Sequence, residues 1–208
     1  MPVAEIPPHR VLHNFLGAEI ARDLLDAVSS RGSAMKPSNV LAPTGEQYNP
    51  EHRDSLSSRD LAEFGEALKE RIAKMIPALR RDLGMSDFLL DHVELELAAH
   101  GHGGHFHDHV DTVHEKGAGR IMTAVYYFFA EPRRFSGGEL RLYGWWRGDA
   151  EGAHPPPHLY ITPQHDSLLI FPSWAYHEVM PVNCPSGDFA DSRFSINCWV
   201  WRKLPEQM

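Results

Sequence analysis

Cysteine is nearly missing from this chain. Cys184 and Cys198 are the only two among 208 residues. That is too few for a disulfide framework and fits a reducing compartment. No apolar run approaches the roughly 20 residues that a membrane-crossing helix needs. The opening Met1-Pro2-Val3-Ala4-Glu5 puts no basic segment ahead of an apolar one, so no secretory signal is expected. A soluble, cytoplasmic protein without membrane contacts is the expectation. Positive charge is also short. Lys and Arg number 20 against 28 Asp and Glu, a net charge of -8, which argues against a nucleic-acid backbone as partner. No internal repeat or low-complexity tract stands out.

What is present suits a globular protein. The hydrophobic fraction of 42% supplies a core, and the length predicts one domain over 1–208. Residues 1–90 read as a helical support and 91–203 as a strand-rich core. A short strand is expected over 11–15 and a helix over 17–30. There Ile20, Leu24, Leu25 and Val28 form one stripe, and Gly32 ends it. Residues 36–55 read as a long polar loop with a short strand near 53–56. Loops of this length often serve as lids. A second helix is expected from Ser57 or Ser58, with Leu61, Phe64, Leu68, Ile72 and Ile76 on one face. Pro77 should kink or break it, and Gly84 should close it.

Beyond residue 90 the apolar period becomes two. Val93, Leu95 and Leu97 alternate with Glu94 and Glu96. Strands are expected over 105–111, 121–129, 139–143, 159–161, 167–171, 177–182 and 193–201, separated by Gly, Pro, Asn and Asp clusters. About eight short strands at this spacing predict a mainly β, α+β fold. It would be a jelly-roll or barrel-like double sheet with helices against one face.

Histidine is abundant: 14 in all, half of them between His92 and His114. Within that run, His109 and Asp111 stand two apart. On a strand such residues share a face, so one imidazole and one carboxylate converge. A second histidine would complete the two-His, one-carboxylate arrangement that holds non-heme iron(II) with open positions. His177, at the start of a strand after Pro172, is the candidate.

The last strand adds a second feature. Phe194, Ile196, Cys198 and Val200 share one face, and Arg193, Ser195, Asn197 and Trp199 the other. Polar groups inside a barrel need partners. An Arg with a hydroxyl suits a carboxylate guest, and Tyr127 has the parity to add a phenolic hydrogen bond.

These residues together resemble the 2-oxoglutarate- and iron(II)-dependent oxygenases, in their prolyl-hydroxylase-like branch, over about 95–201. The matching pieces are Gly103-Gly104 leading to His109 and Asp111, Thr123 with Tyr126-Tyr127, and Gly137-Gly138-Glu139-Leu140. His177-Glu178-Val179 with Pro181-Val182, and Arg193 with Trp199, complete the set. The segment 184–191 looks inserted between His177 and Arg193.

The resemblance implies a double-stranded β-helix of eight core strands. It implies iron(II) held by His109, Asp111 and His177, and 2-oxoglutarate held by Arg193 with Tyr127 and Ser195. Dioxygen is the co-reactant and ascorbate an accessory reductant. The implied reaction hydroxylates a C–H bond while 2-oxoglutarate becomes succinate and carbon dioxide. A prolyl residue in a peptide or protein is the implied substrate, with a free amino acid or small natural product as the alternative.

Plainer readings compete residue by residue. His109 and Asp111 read as a surface pair, Arg193 as a structural ion-pair partner and Tyr127 as core. Arg202 and Lys203 are fallback carboxylate partners. His100, His102, His105, His107 and His114 read as solvated or supporting groups rather than ligands. Trp145-Trp146 and the loop to Pro157 read as a lid or as the cover of a sheet edge. The rival from another class is a non-enzymatic barrel that binds a metal or a carboxylate.

Overall fold

The computed structural model describes residues 3–42, 45–61, 63–112, 119–147 and 155–203. His114 and residues 148–154 of the expected lid lie outside them. Twelve strands form two facing antiparallel sheets. In chain order they are β1 (Arg10–His13), β2 (Lys36–Pro37), β3 (Arg53–Asp54), β4 (Leu56–Ser58), β5 (Leu90–His100) and β6 (His105–His109). There follow β7 (Arg120–Phe128), β8 (Leu140–Tyr143), β9 (His158–Ile161), β10 (Ser167–Pro172), β11 (His177–Val179) and β12 (Arg193–Arg202). The major sheet has the order β1-β10-β7-β12-β5-β4-β2, and the minor sheet β9-β8-β11-β6-β3. The last eight of these strands are the eight expected beyond residue 90, and the architecture is the double-stranded, jelly-roll type.

Both helices lie on the outer face of the major sheet, as their single apolar stripes require. Helix α1 (Ala18–Ser29) buries Ala21, Leu24 and Val28, whereas Ile20 faces out. Asp166 holds its entrance: the carboxylate accepts the backbone N–H groups of Leu16 (2.7 Å) and Gly17 (2.9 Å). Helix α2 (Glu63–Asp82) buries Gly65, Leu68, Ile72, Ile76 and Leu79. It does not start at Ser57 or Ser58. Residues 56–58 pair with β5 instead, so strand pairing at the sheet edge displaces the helix start to Glu63. The helix also does not break at Pro77. Proline costs about 3 kcal/mol inside a helix, and burial returns about 1.5–3 kcal/mol for each large apolar side chain. Its end is the expected one: Gly84 has φ 64, Met85 N–H bonds to Arg80 O (2.9 Å) and Gly84 N–H to Arg81 O (3.1 Å), a Schellman closure.

The alternation along the major sheet separates two apolar layers. Leu95, Leu97, Ala124, Tyr126, Ile196 and Cys198 pack under the helices. Tyr127, Leu140, Leu142, Leu169 and Phe171 pack between the sheets. The second layer is incomplete toward β5 and β12, where the inner face carries Glu96, His100, Arg193 and Ser195. The chain crosses from one sheet to the other at Ser55, since β3 pairs with β6 and β4 with β5. The expected loop over 36–55 carries β2 and a hairpin of Val40–Ala42 with Gly45–Gln47. Val3–Glu5 pairs with Trp145–Arg147 in a separate two-stranded ribbon. Cys184 and Cys198 are buried free thiols.

Candidate active site

His109 and His177 are 68 positions apart, and one strand pairing brings them together. They are direct partners across β6 and β11, which puts their side chains on the same inner face, with ring centroids 4.3 Å apart. Each ring is turned by its own backbone. His109 Nδ1 lies 2.8 Å from His107 O and His177 Nδ1 2.8 Å from Ala175 O. A carbonyl only accepts, so each Nδ1 carries a proton and Nε2 is the nitrogen turned toward the site. That is the tautomer a metal ligand needs.

Asp111 completes the group by a route other than the expected one. Strand β6 ends at His109, and its register against β11 shifts between positions 106 and 109. Phe106 therefore faces inward with His109 and stacks on it at 3.7 Å between centroids. Asp111 sits past the strand end. Its backbone N–H bonds to Ser173 O (3.0 Å), and its Oδ2 accepts the Thr123 hydroxyl (2.8 Å). Thr123 Oγ1 in turn lies 3.0 Å from Ser173 Oγ. Because Thr123 gives its proton to the carboxylate, Ser173 donates to Thr123. The result is a three-membered donor set: His109 Nε2 is 3.8 Å from Asp111 Oδ1, and His177 Nε2 is 3.6 Å from Asp111 Oδ2. All three ligand atoms lie within 4.8 Å of one another.

The electrostatics suit a cation. Burial, and then the neighbouring His177, lower the His109 pKa to about 3, so the ring stays neutral. Burial pushes the Asp111 carboxyl up. The two imidazoles and then the Thr123 hydroxyl more than offset it and leave the carboxyl below its ordinary value. A carboxylate flanked by two imidazole Nε2 donors, with the remaining directions open to a cavity, fits iron(II).

The same cavity is lined by Arg193, Ser195 and His100. Arg193 is buried, and no carboxylate of the described residues pairs with it. Its Nε donates to Gly138 O (2.8 Å), and Nη1 reaches Ser195 Oγ at 3.4 Å. Tyr127 packs its ring 4.9 Å from the guanidinium carbon. Arg193 Nη2 and the Tyr127 hydroxyl are buried and make no hydrogen bond of regular geometry. Gly138 makes room for this arginine. A Cβ there would stand 2.6 Å from Arg193 Cδ, at φ 69. A buried, unpaired cation beside orphaned donors is costly unless a guest carries the counter-charge. A small dicarboxylate fits that requirement.

A larger cavity of about 540 Å³ opens from the triad toward β2 and the 40–47 hairpin, between Phe106, Arg53, Arg120 and Trp199. Arg53 pairs with Glu96 (2.6 Å) and Arg120 with Glu94 (2.7 Å). Arg120 also lies over Trp199, 4.2 Å from the ring centroid.

The structure thus brings His109, Asp111, His177, Arg193 and Ser195 to one cavity and sets Tyr127 against Arg193. Arg202, the last residue of β12, and Lys203 just after it are exposed and lie outside that cavity. Of the two roles expected for these histidines, solvated or supporting, His100 takes the second, with Nδ1 3.4 Å from Arg193 Nη1. It is buried, lines the cavity and stands opposite Arg193 in the β5–β12 register. Phe106 and the hydroxyl of Ser173 were not legible as site residues. The inward turn of Phe106 depends on a register shift, and Ser173 acts from a loop.

Comparison with known proteins agrees with this geometry. Residues 95–201 match the family model described as the 2OG-Fe(II) oxygenase superfamily. An uncharacterised PKHD-type hydroxylase of Synechocystis sp. is 36% identical over 193 residues, 93% of this chain. The chain spans 63% of the length of that curated relative. A Pseudomonas putida prolyl-4-hydroxylase superposes with a TM-score of 0.67 at 20% identity, covering 95% of this chain and 94% of the other. A Trichoplax adhaerens prolyl hydroxylase, solved with a peptide fragment of the hypoxia-inducible-factor oxygen degradation domain, gives 0.65 at 21% identity, covering 94% and 84%. The chain belongs to the 2OG-Fe(II) oxygenase superfamily.

Proposed function

We propose that this protein is an iron(II)- and 2-oxoglutarate-dependent hydroxylase acting on a prolyl residue of a peptide or protein. The observation that carries the reading is the unpaired, buried Arg193 in the same cavity as His109, Asp111 and His177. The triad offers a place for a metal, and the guanidinium offers one for a dicarboxylate beside it. When bound, the metal and the keto acid supply dioxygen activation, so that one oxygen atom enters the substrate C–H bond and the other enters succinate as carbon dioxide leaves.

The chain's own residues do the rest. His109, Asp111 and His177 hold the metal on one face. Arg193, assisted by Ser195 and Tyr127, orients the far carboxylate of 2-oxoglutarate. Phe106 and Trp199 cover the cavity between triad and opening and exclude water. The 540 Å³ cavity, lined by the lid segment over 36–40, receives the substrate. A peptide is favoured by the size of this cavity, lined by Lys36 and Pro37 of β2 among others, and by the peptide-bound Trichoplax relative. Residues 1–90 support the sheet, and 91–203 carry the chemistry. No helix among the described residues is long and apolar enough to cross a membrane. Two free buried thiols suit the cytoplasm.

The test is succinate formation by the iron(II)-loaded protein with ascorbate and 2-oxoglutarate. A library of proline-containing peptides is compared with free amino acids and small metabolites. Peptide-dependent succinate release, with a mass gain of one oxygen on proline, is expected. Hydroxylation confined to free amino acids would overturn the substrate. Metal binding with no affinity for 2-oxoglutarate would favour the non-enzymatic barrel.

A further inference from the structure

We infer that His100 is a contact for the far carboxylate of 2-oxoglutarate, donating its Nε2–H into the cavity beside Arg193. This rests on the reading of that cavity as a 2-oxoglutarate site. The argument starts from proton positions. His100 Nδ1 lies 3.4 Å from Arg193 Nη1. A guanidinium has donors only, so Nδ1 must accept. An imidazole that accepts at Nδ1 is neutral and carries its proton on Nε2. Burial, and then the charge of Arg193, lower the His100 pKa well below the ordinary value, in agreement with that state.

The Nε2–H then has nowhere to go within the protein. It is buried without a partner. Arg193 Nη2 and the Tyr127 hydroxyl make no hydrogen bond of regular geometry; the phenol lies against the guanidinium, from which its oxygen can only accept, so its own proton remains to be given. Ser195 Oγ accepts from Arg193 Nη1 (3.4 Å), which leaves the serine proton to give. Four donors from β5, β7 and β12 are thus grouped about one guanidinium. Residues 100 and 193 are register partners, as are 127 and 195, so the grouping is fixed by strand pairing. A carboxylate offers about four acceptor positions. One ligand group satisfies the whole set.

The experiment is a binding cycle on the manganese(II)-loaded protein, read by calorimetry without turnover. 2-Oxoglutarate is compared with 2-oxopentanoate, which has the same chain length and keto acid but no far carboxylate. His100→Leu and His100→Phe both remove the donor, and His100→Gln keeps one. Manganese affinity should be unchanged in all three. His100→Leu and His100→Phe should weaken 2-oxoglutarate about tenfold or more and 2-oxopentanoate less than about twofold. His100→Gln should stay within about threefold of the unaltered protein. Equal losses for the two ligands would mean a collapsed pocket and overturn the contact. An unchanged 2-oxoglutarate affinity in a folded donor-free variant would overturn it as well. If the unaltered, manganese-loaded protein binds no 2-oxoglutarate, the functional reading fails first and takes this contact with it.

Discussion

Asp111 presents its two oxygens unequally. Oδ2 is engaged by the Thr123 hydroxyl, which is itself held by Ser173, and Oδ1 is turned toward His109. Removing the hydroxyl while keeping the shape, as in Thr123→Val, frees the carboxylate to rotate. We expect manganese(II) affinity to fall about tenfold or more, measured by equilibrium titration, whereas Asp111→Ala should abolish binding with the circular dichroism spectrum retained. Arg193 makes the opposite demand. Its charge is buried with no salt bridge among the described residues, only the more distant Glu139 acting on it, so its removal relieves desolvation. Arg193→Ala should leave metal affinity and ligand-free thermal stability at or above the original, while 2-oxoglutarate binding weakens about 10- to 100-fold. A loss of metal affinity in that variant would contradict the division of labour. At this scale much was legible. Strict alternation from Arg193 to Val200 identified the inward residues, and His109 with Asp111 needed only their spacing. His100 was not legible, because His102, His105 and His107 beside it are of the same type. Only pairing with Arg193 decides which imidazole turns in.

Elements show where sequence patterns compete. The stretch from Leu56 to Ser58 precedes an amphipathic run and has capping residues, so it reads as a helix start. The unpaired edge of β5 takes it as a strand instead. Strand β6 was expected to run with a clean period of two to Asp111. The register shift at 106–109 turns Phe106 inward and stops the strand early, and nothing in local composition marks such a shift. The Gly137-Gly138 pair was legible as a motif, and its cause is spatial. Gly138 has φ 69, and an added Cβ would meet Arg193 Cδ at 2.6 Å and Val182 Cγ2 at 2.9 Å. Gly138→Ala is therefore expected to lower stability by about 1–3 kcal/mol and to weaken 2-oxoglutarate binding at the same time. Chemical denaturation and calorimetry on one preparation check both. Arg193→Ala should move only the second.

The whole molecule reports its buried imidazoles through acid. Burial, and then the neighbouring imidazole of residue 177, lower the His109 pKa to about 3; burial and then Arg193 lower that of His100 well below its ordinary value, against about 6.5 for each when unfolded. Between those values the unfolded chain binds more protons than the native one, so stability rises with pH. It is complete above about 6.5 and lost as pH falls below it, at up to about 1.4 kcal/mol per pH unit for each histidine. Melting temperatures of the metal-free protein should drop from pH 7 to pH 4.5, and His100→Gln should flatten that slope.

The pairing of His109 with His177 has a mechanical side too. Strands β6 and β11 are only five and three residues long, and an ion gripping one side chain from each would act as a rivet through the thinner wall of the sandwich. Loading with manganese(II) should slow amide exchange across residues 105–109 and 177–179 and leave the long β7–β12 ladder unaltered. The weaker sheet would thus borrow its stiffness from the reaction centre it encloses.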